Sequence, residues 1–132
     1  MCQVIRRIFE MHLEHGKGFK AIAHTLNQEG CPTPRNAQWS SVYRGQWTET
    51  TVRAILVNPL YVGDMVWNRR TDGRFHRIQA GHAVDREAVY GARLLPNPEA
   101  DWITIRHAHE AVISRRLFDR ARQKRLACAR PE

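Results

Sequence analysis

Residues 48–63, TETTVRAILVNPLYVG, constrain the fold more than any other stretch of this sequence. Thr48 is placed to cap a helix, because its hydroxyl can accept from one of the first free backbone amides. Val52, Ile55 and Leu56 then recur at helical spacing as an inward stripe. Thr50, Arg53 and Val57 fall mostly on the opposite side, with Glu49 and Thr51 near the N-terminal tip. Pro59 disfavours helical angles at Asn58, so the helix stops there. Leu60 to Asn68 is short, branched and aromatic, which predicts a strand with an irregularity at Gly63.

Two helices are expected upstream. The first, about Gln3 to Glu14, places Val4, Ile5, Ile8, Phe9, His12 and Leu13 at helical spacing, with Arg6, Arg7 and Glu10 on the other face. Gly16 and Gly18 end it. The second, about Phe19 to Glu29, places Phe19, Ile22, Ala23 and Leu26 on one face, and Gly30 supplies its stop. The short joint makes the two antiparallel or sharply crossed. From Cys31 to Trp47 runs a loop whose prolines, Pro32 and Pro34, impose an extended path.

Downstream, Trp102 to Arg106 alternates cleanly and predicts a second strand. Between the strands, residues 69–101 read as a long basic excursion with one short strand or helix; residues 69–93 carry six Arg against three acids. Ser114 is expected to cap a C-terminal helix carrying Leu117, Phe118, Ala121 and Leu126. Its outer face is basic, with Arg115, Arg116, Arg120, Arg122, Lys124 and Arg125. The expected fold is one α+β domain over residues 1–132: an N-terminal three-helix cluster, a small antiparallel sheet and a packed C-terminal helix.

Lys and Arg number 21 against 13 acids, a net charge of +8 with His neutral. Such a balance points to an anionic partner, nucleic acid first and a membrane surface second. No apolar run approaches the roughly 20 residues of a membrane span, and Arg6, Arg7 and Glu10 interrupt the first apolar positions of any secretory leader. The three cysteines, Cys2, Cys31 and Cys128, form neither a disulfide framework nor a CxxC zinc pair, which suits a reducing cytosol. Of seven histidines, only His107 and His109, beside Glu110, cluster tightly, and no further ligand stands at a convincing spacing. No metal and no cofactor are expected. Nor is there a GxSxG, a glycine-rich phosphate loop or a recognisable acid pair. The chain starts almost directly inside a helical pattern, at Val4-Ile5, and so reads as a piece of a longer protein.

A helix laid in a DNA major groove needs small or polar residues at its N-terminal end and apolar bulk behind. Thr48 to Arg53 fits. The hydroxyls of Thr50 and Thr51, with the helix N-terminal amides, suit phosphate oxygens. Arg53 suits a guanine edge, worth about 1–3 kcal/mol of discrimination; the alternative is a solvated face. Glu49 favours the helix dipole and can accept from a cytosine. Arg35, Arg44 and Gln46 lie in the loop leading into this helix, as backbone or minor-groove contacts or as solvated positions. Arg69, Arg70, Arg74, His76 and Arg77 form the densest basic run, suited to tracking phosphates or to plain exposure. Trp39 and Trp47 are expected to anchor the loop to the core, since duplex bases are not free to stack. The long connection before the third helix makes any helix-turn-helix geometry a variant.

Four segments carry a family resemblance: RRIFEMHLEHGKGFKAIAHTLNQEGCPTPR at 6–35, WTETTVRAILVNPLYVGDMVWNRR at 47–70, WITIRHAHEAVIS at 102–114 and RRLFDRARQKR at 115–125. In this order they resemble the recombinase domain of large serine recombinases, the integrase and transposase branch of the resolvase/invertase superfamily. Residues 40–46, SSVYRGQ, depart from it by lengthening the loop before the third helix.

The resemblance implies a module that binds double-stranded DNA, placed between a catalytic resolvase domain and a zinc-ribbon domain of the parent chain. It implies a non-catalytic fragment, with the nucleophilic serine in the missing N-terminal domain and the dimer or tetramer belonging to the full-length protein. It further implies a cytoplasmic, nucleoid-associated protein of bacterial or phage origin, and a structural hydrogen bond for the histidine segment. Two rivals stand beside it. One is a transcription regulator or mobile-element remnant using the same module without recombination. The other is a protein-interaction module docking an acidic partner through the basic C-terminal helix.

Overall fold

Apolar residues at helical spacing open the chain, and they form the floor of the domain. The structure, a computed structural model, describes residues 1–34, 45–71, 75–85 and 95–128. Helix α1 (Cys2–Leu13) buries Ile5, Ile8, Phe9, Met11 and His12. Helix α2 (Phe19–Gln28) buries Ile22, Ala23 and Leu26. Gly30 adopts φ +65°, and the amides of Gly30 and Cys31 return to Asn27 and Leu26, closing α2 as expected. Helix α3 (Glu49–Val57) buries Val52, Ile55 and Leu56. Each such Ile or Leu contributes about 1.5–3 kcal/mol through removal from water.

The loop between α2 and α3 is closed by one residue pair. Asn27 Nδ2 donates to the Trp47 carbonyl at 2.9 Å, and the Trp47 amide donates to Asn27 Oδ1 at 2.7 Å. The Trp47 indole, 3% exposed, donates through Nε1 to the Cys31 carbonyl at 2.9 Å. Trp47 therefore anchors the loop as expected; Trp39 lies outside the described residues.

The expected strand at Leu60–Asn68 is shorter. Asn58 leaves helical geometry (ψ 113°), and its Oδ1 accepts from the Leu60 amide at 3.0 Å, while Pro59 has the φ of a helical first turn. These local effects wind Pro59–Val62 into a 3-10 turn, closed by Gly63 at φ +89°. The branched residues there read as strand, but Asn58 and Pro59 decide the backbone. Strand β1 is Met65–Trp67.

Beyond β1 run β2 (Arg70–Thr71), β3 (His76–Gln79), β4 (His82–Asp85), β5 (Leu95–Pro96) and β6 (Ile103–Ile105). Among the described residues they form three two-stranded antiparallel pairs: β1 with β6, β2 with β5, and β3 with β4. Trp67 faces Ile103 and Met65 faces Ile105, which leaves Trp67, Ile103 and Ile105 exposed. The expected one short element in 69–101 is thus a β3–β4 hairpin and a β2–β5 pair. The hairpin turns on Ala80 and Gly81, both at positive φ. Its base is held by Asn97, whose Nδ2 donates to the Asn68 carbonyl at 2.9 Å while its Oδ1 accepts from the Thr71 hydroxyl at 2.7 Å.

Segment 107–113 docks on the 3-10 turn. His109 Nε2 donates to the Leu60 carbonyl at 2.6 Å, the structural role expected for this segment, and the Ala108 amide donates to Gly63 O at 2.8 Å. Ser114 Oγ accepts from the Leu117 amide at 3.3 Å and opens α4 (Arg115–Cys128). Helix α4 buries Phe118 and Ala121 against α1 and α3, so four helices enclose the core.

Two expectations for α4 need correction. Leu117 and Leu126 are exposed, at 36% and 65%, and Arg115, Lys124 and Arg125 are half-buried instead of outward. The reason is spacing: 118, 121 and 125 share a face, and 126 does not. Arg115 donates to buried Asp64 at 2.6 Å, and Lys124 Nζ donates to the His12 carbonyl. That arginine holds the Asp64 carboxyl below its usual range.

Three stability outcomes follow from these contacts. A Cβ on Gly63 would lie 2.6 Å from His109 O, at a φ that L residues disfavour. Gly63→Ala is expected to lower unfolding free energy by about 2–4 kcal/mol in a denaturant titration, the sum of left-handed strain and overpacking. Asn27→Ala strips both partners from the Trp47 backbone and is expected to cost about 1–3 kcal/mol by the same measurement. The third concerns pH. His12 is buried against Phe19, its Nδ1 donates to the Lys17 carbonyl, and burial, with Lys124 and Arg125 nearby, holds its pKa below the usual value. A folded pKa below the unfolded one means stability that is complete above about pH 6.5 and lost as pH falls through that value toward the lowered one. The melting temperature is therefore expected to drop between pH 7.5 and 5.5, and His12→Gln to flatten that drop.

Candidate nucleic-acid interface

The exposed edge of α3 is set by its cap. Thr48 Oγ1 accepts from the Thr51 amide at 3.2 Å and lies 3.0 Å from Thr51 Oγ1, so the half-buried Thr51 hydroxyl is engaged within the cap. Gln46, Glu49, Thr50, Arg53 and Ala54 are exposed. Because Val52, Ile55 and Leu56 are buried on the opposite side, this edge cannot rotate inward without emptying the core. Glu49 stands one turn before Arg53, but among the described residues Arg53 closes no ion pair.

A second basic group lies on the strands. Arg70 and Arg77 line a shallow cleft of about 240 Å³ with Asn68, Thr71, His76 and Ile78. Arg77 donates to Gln79 Oε1 at 3.2 Å, and His76 Nε2 lies 3.3 Å from Asp85. Arg69 is exposed, but its guanidinium carbon sits 4.7 Å from the centroid of Trp102, whose Nε1 donates to the Asn97 carbonyl. That stacking holds the Arg69 guanidinium against Trp102. Of the remaining basic positions expected to meet DNA, Arg35, Arg44 and Arg74 lie outside the described residues.

Helix α4 adds charge that sequence reasoning assigned only to an outer face. Arg120 lies 3.7 Å from Glu14, and Arg115 and Lys124 are engaged internally as described above. Arg125 differs. Its Nε is buried with no hydrogen-bond partner among the described residues. Burial pushes its pKa below the ordinary value, and the nearby charges of Arg122 and Arg53 push the same way. The legible signal was the spacing 118, 121, 125, which carries the arginine onto the inward stripe.

The arrangement offers hydrogen-bond donors, positive charge and exposed hydroxyls. Among the described residues no three His, Cys, Asp or Glu side chains gather to hold a metal ion, and no helix is long and apolar enough to cross a membrane. Cys2 and Cys128 are exposed free thiols and Cys31 is half-buried.

A family model described as Recombinase matches residues 1–127. No curated protein and no solved structure matches the chain.

Proposed function

The chain belongs to the recombinase family, and we propose that it binds double-stranded DNA in a sequence-directed way as part of a site-specific large serine recombinase. Membership supports a role in site-specific recombination. The observation that carries the finer reading is the α3 edge, where Thr50 and Arg53 are presented to solvent on a helix whose other side is locked into the core, with exposed Gln46 just ahead of its cap. A helix presented in this way has the reach and polarity for base edges in a major groove.

On this reading Arg53 meets a base edge, and Thr50 and the first amides of α3 meet phosphate oxygens. Arg70 and Arg77, with Arg69 beside them, track the backbone. A net charge of +8 supplies the sequence-independent attraction. The segment itself carries no chemistry here: strand cleavage belongs to a resolvase-type domain of the parent chain, which also carries a zinc ribbon and assembles as a dimer or tetramer.

Selection of bound sequences from a random duplex pool is expected to return a shared motif. Against the duplex so found, Arg53→Gln is expected to cost about 1–3 kcal/mol while leaving a scrambled duplex nearly unaffected. Arg70→Gln with Arg77→Gln is expected to weaken both duplexes alike and to reduce the slope of log affinity against log salt by about 0.9 for each phosphate that is no longer neutralised. Equal losses on both duplexes for the Arg53 variant would count against base reading, and no binding of any duplex at low salt would end the DNA reading altogether.

A further inference from the structure

Helix α4 ends its buried stripe in an unusual way. Phe118 and Ala121 are buried, and the next position on that face is an arginine where an apolar residue would extend the core. Arg125 is half-buried, and its Nε has no acceptor among the described residues. The charges that bear on it are Arg122, one turn back on the same helix, and Arg53 from the exposed edge of α3, which packs on α4. Glu49 and Asp119 stand one turn before Arg53 and Arg122, yet among the described residues neither closes an ion pair with these arginines. Elsewhere the fold does find partners for its inward cations: Arg115 has Asp64 and Lys124 has a carbonyl. Like charges at the α3–α4 junction that close no ion pair among the described residues cost stability in the free protein, and an arriving anion would offset that cost.

We propose that Arg122 and Arg125 of α4 form a seat for a backbone phosphate of the same duplex whose base edge Arg53 reads. Resting on the DNA-binding reading above, this makes the C-terminal helix part of the contact surface. A phosphodiester presents two unbridged oxygens, each able to accept from a guanidinium, and the paired geometry favours arginine over lysine. A phosphate held there would fix how deeply the N-terminal end of α3 enters the groove, because α4 packs directly on α3.

The test is salt-titrated binding of the whole chain to its selected duplex and to a scrambled one. Arg122→Gln, at an exposed position, and Arg125→Met, which continues the apolar stripe, are each expected to weaken both duplexes equally. Together they are expected to lower the salt slope by about 0.9 for the phosphate released. Lys20→Gln on α2 serves as the control and is expected to leave the slope unchanged. Melting of the free protein separates a seat from a packing role: Arg125→Met is expected to melt no lower than the wild type. Wild-type binding with an unchanged slope in both arginine variants would overturn the seat and leave the DNA reading intact. The seat is equally overturned if Lys20→Gln flattens the slope as much, or if only Arg125→Met loses binding and it melts lower. No wild-type binding to either duplex would overturn the DNA reading and the seat with it.

Discussion

The fold depends on Asn27 holding the backbone of Trp47. Residues 29–48 separate α2 from α3, and a connection of that length cannot by itself set where the next helix begins. One side-chain amide does so by satisfying both the N–H and the C=O of Trp47. The indole then fills the core and reaches back to the Cys31 carbonyl, just past the end of α2. The two ends of the loop are thereby brought together, whatever path lies between them. Thr48 follows at once as the N-cap, so the register of α3, and hence which of its residues meet solvent, is inherited from Asn27.

Charge in this protein divides into cations with internal partners and cations without. Arg7 pairs with Glu29 between α1 and α2, Arg115 with Asp64, and Arg120 with Glu14. Lys124 caps the C-terminal end of α1 through the His12 carbonyl, and Arg69 lies on Trp102. The surface pairs are screened and add little to stability, whereas Asp64 is buried and its arginine keeps that burial tolerable. Among the described residues, Arg53, Arg122 and Arg125 close no ion pair and stand outside this scheme. A count of basic residues on the sequence could not make that division, because pairing is a tertiary property.

Much of the fold was legible because it rests on local spacing. The inward residues of the first three helices, the Gly30 stop, and the Thr48 and Ser114 caps all follow from neighbours within one or two turns. Strands 65–67 and 103–105 lie within the two stretches whose composition predicts strand. What was not legible depends on contacts far apart in the chain or on competition between local signals. Leu60, Tyr61 and Val62 have strand composition, yet an Asn side chain and a Pro ring wind them into a turn. The β2–β5 pair requires Asn97 to meet Asn68 and Thr71, which no periodicity encodes. In α4, hydrophobicity selects Leu126 for the interior while geometry selects 125. Within the candidate site, the exposed edge of α3 was readable from its stripe; the stacking of Arg69 and the approach of Arg125 to Arg53 were not.

The last turns of α4 couple packing to binding. Only Phe118 and Ala121 of this helix are fully inside, so its hold on α1 and α3 is lighter than a third apolar residue at 125 would make it. The like charges of Arg53 on α3 and Arg125 on α4 oppose that packing. An anion seated between them, as proposed, reverses that sign: it attracts arginines of both helices and draws α4 onto α3. By linkage, an anion that binds the packed helices also stabilises them. The packing of the C-terminal helix and the depth of α3 in a groove would then be linked through Arg53 on one helix and Arg122 and Arg125 on the other.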